Sequence, residues 1–192
     1  MKLSTVRCGI LGFAFFALGA LAQASEPTAF DLIKEGNRYV GEDSKDKVVT
    51  IRSEKSVGTL TPNIWYVVYY DADATFKATE VKFGGGKKMT VKRPMRMLEP
   101  ITGDNKKMDM KLFKTDSDSA LDIAKKEPLL ANLSLKSTQF WLERVDGEPA
   151  WKVRFWAAKV SNTNKIVDIG DVYVSTAEGK VIKNDLHPEK AD

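Results

Sequence analysis

The sequence predicts an α+β protein in which a helix packed on an antiparallel sheet occurs twice, after a cleaved signal peptide. Each half of the chain begins with apolar residues at helical spacing and continues with about four segments rich in Val, Ile, Tyr and Trp, which are typical of strands. Asp146-Gly147 is a strong hairpin signal, and Glu178-Gly179 marks a later turn. The predicted fold class is therefore two helix-plus-antiparallel-sheet repeats in tandem.

Residues 1–24 have the pattern of a signal peptide. Lys2 and Arg7 are positively charged, the apolar run 9–22 follows, and the small residues of Ala22-Gln23-Ala24 allow cleavage after Ala24. The run is shorter than the roughly 20 apolar residues of a bilayer-spanning helix, so a membrane anchor is the weaker alternative. We expect the mature chain to be periplasmic or secreted.

The composition of the mature chain predicts a folded protein without disulfides. Cys8 stands before the apolar run, whereas a lipid-modified cysteine would follow that run, so the pattern is not that of a lipoprotein. Cleavage removes Cys8, Lys2 and Arg7, which lowers the formal net charge from +4 to +2. About 168 residues remain, enough for one domain or two small ones. The 43% apolar content and four tryptophans argue against disorder.

The first repeat is predicted to span residues 25–93. Apolar residues recur at helical spacing from Phe30 to Val40, and Gly41 is the expected end of the helix. Gly84-Gly85-Gly86 is expected to form a hairpin turn before a final basic strand. The predicted strands of this half are 47–54, 64–71, 76–83 and 88–92.

The second repeat is predicted to span residues 115–187. Thr115 or Asp116 can cap a helix that runs from about Asp118 until Pro128 stops it. The four predicted strands that follow are 137–145, 150–159, 167–175 and 179–184. Residues 94–114 contain prolines, a glycine and scattered lysines and are predicted to be a linker, and residues 188–192 a polar tail.

The two halves can be superimposed in sequence at an offset of 86 residues, which places 65–70 over 151–156. The segment 151–156 alternates, with Lys152, Arg154 and Trp156 on its polar face, as expected of a strand that is wet on one side. The segment 65–70 is apolar on both faces, because Tyr66, Val68 and Tyr70 lie opposite the core residues. We expect something to cover that second face: the other repeat, a second subunit in a homodimer, or a ligand.

Residues 118–183 resemble a PepSY module, a small helix-plus-antiparallel-sheet unit of exported bacterial proteins and of the propeptides of secreted metallopeptidases. The matching residues are Ala120-Leu121-Asp122-Ile123-Ala124 in the helix, Asp146-Gly147 before the strand that starts at Trp151, and the closing segment Val172–Ile182. The resemblance implies a cystatin-like fold and a binding module that can restrain a peptidase. It implies no catalytic residues, and fold alone does not set function.

The sequence contains no recognisable catalytic, metal or cofactor site. The single histidine, His187, lies before Pro188 in the polar tail, and no cysteine survives processing, so a nucleophile with a positioned base is not expected. Zinc sites draw on several Cys or His ligands, which are missing. A pair of carboxylates could still converge in the fold, but any of the 26 acidic residues could supply it. We predict a protein that is not an enzyme and needs no cofactor.

A basic stretch could attract an anionic envelope component. Residues 82–114 contain ten basic and three acidic residues, among them Lys87, Lys88, Lys92 and Arg93. Lysines on an exposed edge strand also protect a sheet from aggregation, which is the alternative explanation. Nucleic acid is not an expected partner, because the protein is exported and this stretch shows no alternation of aromatic and basic residues.

Three functional hypotheses follow from these patterns. The first is an inhibitor of a secreted or periplasmic peptidase, acting by strand addition to a sheet edge or through hairpin tips at Asp146, Gly147, Glu148 and Pro149 and at 161–165. The second is a binder of envelope material or a small ligand, using the basic stretch and the aromatic residues Tyr66, Tyr70 and Trp156. The third is a structural module that dimerises through the second apolar face of 65–70. Trp141, Trp151 and Trp156 could line a cleft, although aromatic residues on amphipathic strands more often belong to a core.

Overall fold

The computed structural model describes residues 27–93 and 107–191. These residues form one eight-stranded antiparallel sheet and two α-helices. The predicted signal peptide, residues 1–24, and most of the predicted linker, residues 94–106, lie outside the described residues. The α+β class with a helix and four strands in each half is confirmed by the order of the elements.

Helix α1 spans Ala29–Gly36 and is shorter than the sequence predicts. Thr28 caps it, since its side chain accepts a hydrogen bond from the Asp31 amide. A glycine is needed at position 36, the last residue of the helix, because the Tyr69 hydroxyl occupies the space that a Cβ atom there would take. That hydroxyl donates to the Ile33 carbonyl at 2.8 Å, which fixes the helix on the sheet. A short 3-10 helix, Asn37–Tyr39, replaces the predicted last turn.

Helix α2 spans Ser117–Ala124 and begins where the sequence predicts. Asp116 is its N-cap, and the buried residues Ala120, Leu121 and Ala124 face the sheet at helical spacing. The helix ends before the predicted stop at Pro128, and that proline instead begins a 3-10 helix, Pro128–Leu130.

The eight strands form a single sheet in the order β4-β3-β2-β1-β5-β6-β7-β8. Each half is an antiparallel meander, and the edge strands of the sheet are β4 and β8. The strands are β1 (Val48–Ser53), β2 (Ile64–Tyr70), β3 (Ala78–Gly84), β4 (Lys87–Lys92), β5 (Leu133–Val145), β6 (Glu148–Lys159), β7 (Asn162–Ser175) and β8 (Val181–Leu186).

The two halves join edge to edge through β1 and β5. The sequence left open whether the units are separate or fused through the face of Tyr66, Val68 and Tyr70, and the structure shows neither arrangement. The ladder between β1 and β5 is short, with Ile51 opposite Leu142 and Arg52 opposite Trp141. Two serine hydroxyls extend it, because Ser53 accepts from the Phe140 amide at 2.9 Å and Ser56 from the Thr138 amide at 2.8 Å.

Both helices pack on one face of the sheet and share one core. Trp65 of β2 and Trp151 of β6 are buried side by side, with ring centroids 6.4 Å apart in an edge-to-face arrangement. Phe140 contacts both tryptophans at 5.6 and 6.0 Å, and Phe30 of α1 stacks on Trp151 at 5.8 Å. Because residues of both halves meet here, the two helix-plus-sheet units form one continuous hydrophobic core.

Asp116 links the two helices at their N-termini. Its carboxylate accepts from the Ser117 amide at the start of α2 and from the Phe30 amide of α1 at 3.1 Å. The Ser117 hydroxyl in turn accepts from the Ala29 amide at 3.1 Å. Burial raises the pKa of the Asp116 carboxyl, against the hydrogen bonds from Thr28, Ser117 and Phe30, which lower it. One side chain therefore satisfies N–H groups of both helices.

Parts of the predicted linker, 94–114, and of the predicted polar tail, 188–192, pack against the rest of the fold. Met108, in the predicted linker, is buried, and its amide donates to the Val48 carbonyl at 2.7 Å. Phe113 stacks on Phe30 at 4.9 Å. The predicted polar tail contains a 3-10 helix, Pro188–Ala191, whose Ala191 is buried in the core. The prolines, glycine and lysines of 94–114 and the polar residues of 188–192 are typical of loops, and they do not mark which residues of these segments are buried.

The hairpin turns follow the sequence closely. Asp146 and Gly147 have φ angles of 52° and 89°, and Gly85 and Gly86 have 54° and 75°, as two-residue turns of twisted hairpins require. The second predicted tip, 161–165, is shorter than expected because β7 already begins at Asn162.

We predict that Asp116→Ala lowers the free energy of unfolding by about 2–3 kcal/mol, because amides of both helices lose their acceptor. Asp116→Asn keeps an acceptor oxygen and is expected to lose less. Asp122→Ala, which removes an exposed pair with Lys125, is the matched control and should cost under ~0.5 kcal/mol. Urea denaturation measures all three, and equal losses for the two alanine variants would contradict the capping role.

Candidate functional site

The second face of the sheet carries neither α-helix. Because side chains alternate along a strand, the residues between the core positions of β2 and β6 point to this side. We call it the open face. Its central side chains are Arg52, Tyr66, Tyr70, Lys82, Trp141, Lys152, Arg154, Trp156 and Tyr173.

The apolar second side of β2 is covered mainly by its own neighbours. Val68 is fully buried, and it packs with Ala78, Val49 and Tyr70 of the same sheet. Tyr66 and Tyr70 remain partly exposed. Within the described residues, the open-face side of Val68 is therefore covered by side chains of the same sheet. The described part of the other repeat does not pack face to face against it.

On the first half of the open face, Tyr66 lies between two cations. The Arg52 guanidinium is 3.8 Å from the ring centroid and the Lys82 ammonium 5.0 Å, both within cation–π range. Arg52 forms an ion pair with Glu80 at 2.9 Å, and Lys82 one with Glu54 at 3.1 Å. The Tyr66 hydroxyl donates to Glu54, and this bond, with that from Lys82, holds the pKa of the Glu54 carboxyl below its usual value.

On the second half of the open face, Asp171 organises two cations over two rings. Its carboxylate accepts two hydrogen bonds from Arg154, at 2.8 and 2.9 Å, and lies 3.5 Å from the Lys152 ammonium. Arg154 and Lys152 lie 5.5 and 5.6 Å from the Trp141 ring, and Lys152 is also 5.7 Å from Tyr173. Asp171 therefore fixes the positions of both cations.

The ionisation of Asp171 is set by this pairing. Burial raises the pKa of its carboxyl, but the hydrogen bonds from Arg154 and the charge of Lys152 outweigh that effect and leave the pKa below its usual value. The same contact raises the pKa of the Arg154 guanidinium. The carboxylate is thus charged at neutral pH although the side chain is only 7% exposed.

Trp156 and Tyr70 lie toward opposite ends of the open face. Trp156 is partly exposed and has the Lys55 ammonium 4.2 Å from its ring, while Lys47 lies 5.9 Å from the Tyr70 ring. Each ring of the open face thus has a cation within 6 Å of its centroid. The side chains of Tyr66, Tyr70 and Trp156, which the sequence analysis names as candidate binding residues, lie on one face of the sheet.

The other predicted binding residues lie at a hairpin and along one edge of the sheet. Asp146, Gly147, Glu148 and Pro149 are at the β5–β6 hairpin, and Lys87, Lys88 and Lys92 are on the edge strand β4 with Arg93 after it. The β5–β6 and β6–β7 hairpins lie at opposite ends of the 12-residue strand β6, on the order of 40 Å apart. A peptidase whose active-site cleft contacted both hairpin tips would have to span the whole length of β6.

Sequence analysis did not identify several residues of this surface. Asp171, Tyr173 and Arg52 had no assigned role, and Trp141 was assigned more readily to a core. The alternation of Lys152, Arg154 and Trp156 was the available signal, since it placed aromatic and basic side chains on one face of β6. Aromatic rings and cations alternate from one strand to the next across the open face, so no continuous stretch of the sequence shows this pattern.

Two concave sites lie away from the central residues of the open face. A groove of about 790 Å³ is lined by Pro128, Leu129, Leu133, Val160 and Pro188, near the 3-10 helices. A cavity of about 50 Å³ lies beside Trp65 and the N-terminus of α2. Neither is lined by a central residue of the open face, whose breadth suits a broad partner better than a small ligand.

The described residues offer few parts for catalysis. His187 is about half exposed, with its ring nitrogens 3.5 Å from Asp185 and 3.2 Å from Glu189. Within 27–93 and 107–191, no three His, Cys, Asp or Glu side chains come together in a group that could hold a metal ion. Neither helix of these ranges is long and apolar enough to cross a bilayer.

Comparisons with known proteins find a similar fold but no matching family. No protein-family model matches the chain, and no curated protein matches it. A solved structure from Clostridium difficile 630, named a "putative lipoprotein", is similar with a TM-score of 0.50 and 16% sequence identity. The similarity covers 84% of this chain and 94% of that chain. At this identity it shows a shared α+β antiparallel-sheet fold alone.

We predict that Asp171→Asn changes the dependence of stability on pH. Because the folded protein lowers the pKa of this carboxyl, its contribution is complete above the ordinary aspartate value near 3.8 and is lost as pH falls through the folded value. The variant should be less stable than the parent by about 2 kcal/mol at pH 7, and the difference should shrink toward pH 2.

Chemical denaturation at several pH values measures this difference. Glu178→Gln, which removes an exposed carboxylate paired with Lys180, is the control for loss of a negative charge as such. A difference between parent and Asp171→Asn that stayed constant from pH 7 to pH 2 would contradict the role of the Asp171 carboxylate.

Proposed function

We propose that this chain is an exported, non-enzymatic, PepSY-like binding protein whose open face engages a folded protein partner. The partner class that we propose is a secreted or periplasmic peptidase, which the protein restrains. The observation that carries the proposal is the array of partly exposed aromatic side chains, fixed among cations, on the face that neither α-helix covers.

The composition of the open face supports a protein partner. Trp, Tyr and Arg are the residue types most enriched at the energetic centres of protein–protein interfaces, because they bury much area and keep a polar group for specific contacts. Trp141, Trp156, Tyr66, Arg52 and Arg154 are of these types. A surface evolved only for solubility would carry fewer rings.

The dimensions of the open face also support a protein partner. Eight strands spaced ~4.8 Å apart extend about 34 Å, and the shorter strands, of six or seven residues, are about 20 Å long. The open face therefore offers at least roughly 700 Å², comparable with the ~800 Å² that each partner contributes to a standard interface. The ion pairs hold the rings in place before binding, which reduces the entropy lost on association.

The compartment and the partner class rest on different observations. The signal-peptide pattern supports export, and the similar structure bears a lipoprotein name, which belongs to an exported class. The peptidase partner rests on the resemblance of residues 118–183 to PepSY modules. Since the hairpin tips lie far apart, inhibition through the open face is the simpler arrangement.

We predict that Trp156→Ala and Tyr66→Ala each raise the inhibition constant against the partner peptidase at least tenfold, equivalent to ~1.4 kcal/mol or more. The assay uses the mature chain from Ser25 with peptidase activities of the host's periplasmic and secreted fractions, followed with class-specific fluorogenic substrates. Leu129→Ala, an exposed apolar residue away from the open face, is the control and should inhibit like the parent.

Three outcomes would contradict the proposal. Inhibition unchanged in both open-face variants would remove the open face as the site. Absence of inhibition by the parent against every peptidase class would remove the peptidase as partner. A dimer in light scattering that becomes monomeric in Tyr66→Ala would show instead that a second copy of the chain occupies this face.

A further inference from the structure

The edge strand β4 is a second surface with its own chemistry, independent of the proposed function. It is the outermost strand of the sheet, and all six of its residues are exposed. A strand in this position directs half of its backbone N–H and C=O groups away from β3. In the described part of the chain no strand pairs with them.

The charged residues of β4 and of the positions that flank it are all positive. Residues 84–93 contain four cations and no acid. Arg93 lies 3.3 Å from Asp71, and the Lys88 ammonium 5.3 Å from the Tyr39 ring. Lys92 stands opposite Glu80, but Glu80 forms its ion pair with Arg52 at 2.9 Å.

A bulge puts two of these cations on the same side of the sheet. Lys87 and Lys92 are five residues apart and would face opposite sides of a regular strand. The register shift between β3 and β4 places them opposite Gly84 and Glu80, which share the open-face side. An added strand would therefore meet two ammonium groups along one of its faces.

A second copy of the chain does not fit this edge. Antiparallel pairing of β4 with itself brings lysines of one copy against lysines of the other, and like charges directly opposite destabilise a ladder. The other edge, β8, carries both Lys183 and Asp185 on its outer positions and has no such preference. The occupant that complements β4 is a strand with acidic residues.

We propose that β4 is a docking edge for an extended acidic peptide segment, which adds to the sheet as a ninth strand. Backbone hydrogen bonds along β4 supply affinity, and carboxylates at alternate positions of the segment pair with Lys87 and Lys92. A segment of this chemistry can belong to a flexible loop or terminus of another exported protein. Exposed lysines that only protect the edge from aggregation are the competing explanation.

The test is fluorescence anisotropy with a capped, labelled eight-residue peptide of alternating Glu and Val and the mature chain from Ser25. The double variant Lys87→Glu with Lys92→Glu should bind the acidic peptide at least tenfold more weakly than the parent does. A basic peptide of alternating Lys and Val should bind this double variant at least tenfold more tightly than it binds the parent. Lys183→Glu, the same charge change on β8, should alter the affinity less than twofold. Because all of β4 is exposed, circular dichroism should show both variants folded.

A peptide N-methylated on the amides that would face β4 separates strand addition from charge attraction. Strand addition predicts at least a tenfold loss on N-methylation, whereas equal binding of both peptides would overturn the proposal. Lack of binding of the acidic peptide at 1 mM, or an equal effect of Lys183→Glu, would also overturn it. If Lys87→Thr with Lys92→Thr then aggregates, the lysines are protective.

Discussion

The pairing of β1 with β5 determines the rest of this structure, because it is where two four-stranded meanders become one sheet. Only a few backbone pairs join the two strands. The hydroxyls of Ser53 and Ser56 accept further hydrogen bonds from the amides of Phe140 and Thr138. Thr50 adds a bond to the Leu142 carbonyl at 2.8 Å. Since both meanders lie in one sheet, their helices share one face, and the other face is continuous from β4 to β8.

The helix side supplies the stability that this junction needs. Trp65 and Trp151 pack against each other across the junction, and Asp116 joins the first turns of both helices. Separating the halves would expose both rings and leave the Phe30 amide without its acceptor, at a cost of several kcal/mol. The open face can therefore carry charged and aromatic residues that do not belong to the shared hydrophobic core.

The sequence predicts local features well and long-range ones poorly. The Asp116 cap, the Asp146-Gly147 turn and the alternation of β6 each depend on neighbouring residues, and all three are found in the structure. The junction depends on residues some 90 positions apart, and nothing near Ser53 marks its hydroxyl as an acceptor for Phe140. The candidate site is similarly non-local: the sequence analysis names Tyr66, Tyr70 and Trp156 as candidate binding residues, whereas the contacts of Asp171 and Arg52 depend on cross-strand neighbours.

The two candidate surfaces differ in how their charges are arranged, and this difference assigns them different roles. On the open face, Arg52, Lys82 and Arg154 are each paired with a carboxylate, so little net charge remains to attract a distant partner. Binding there should come from burial of rings and depend weakly on salt. The β4 edge has an excess of positive charge, so contacts there should weaken as salt rises. Because Lys82 of β3 lies between Tyr66 and the Thr90 position of β4, the two surfaces adjoin at one corner of the sheet. A protein partner that contacted both surfaces would be attracted electrostatically to the β4 edge and would bury the aromatic side chains of the open face.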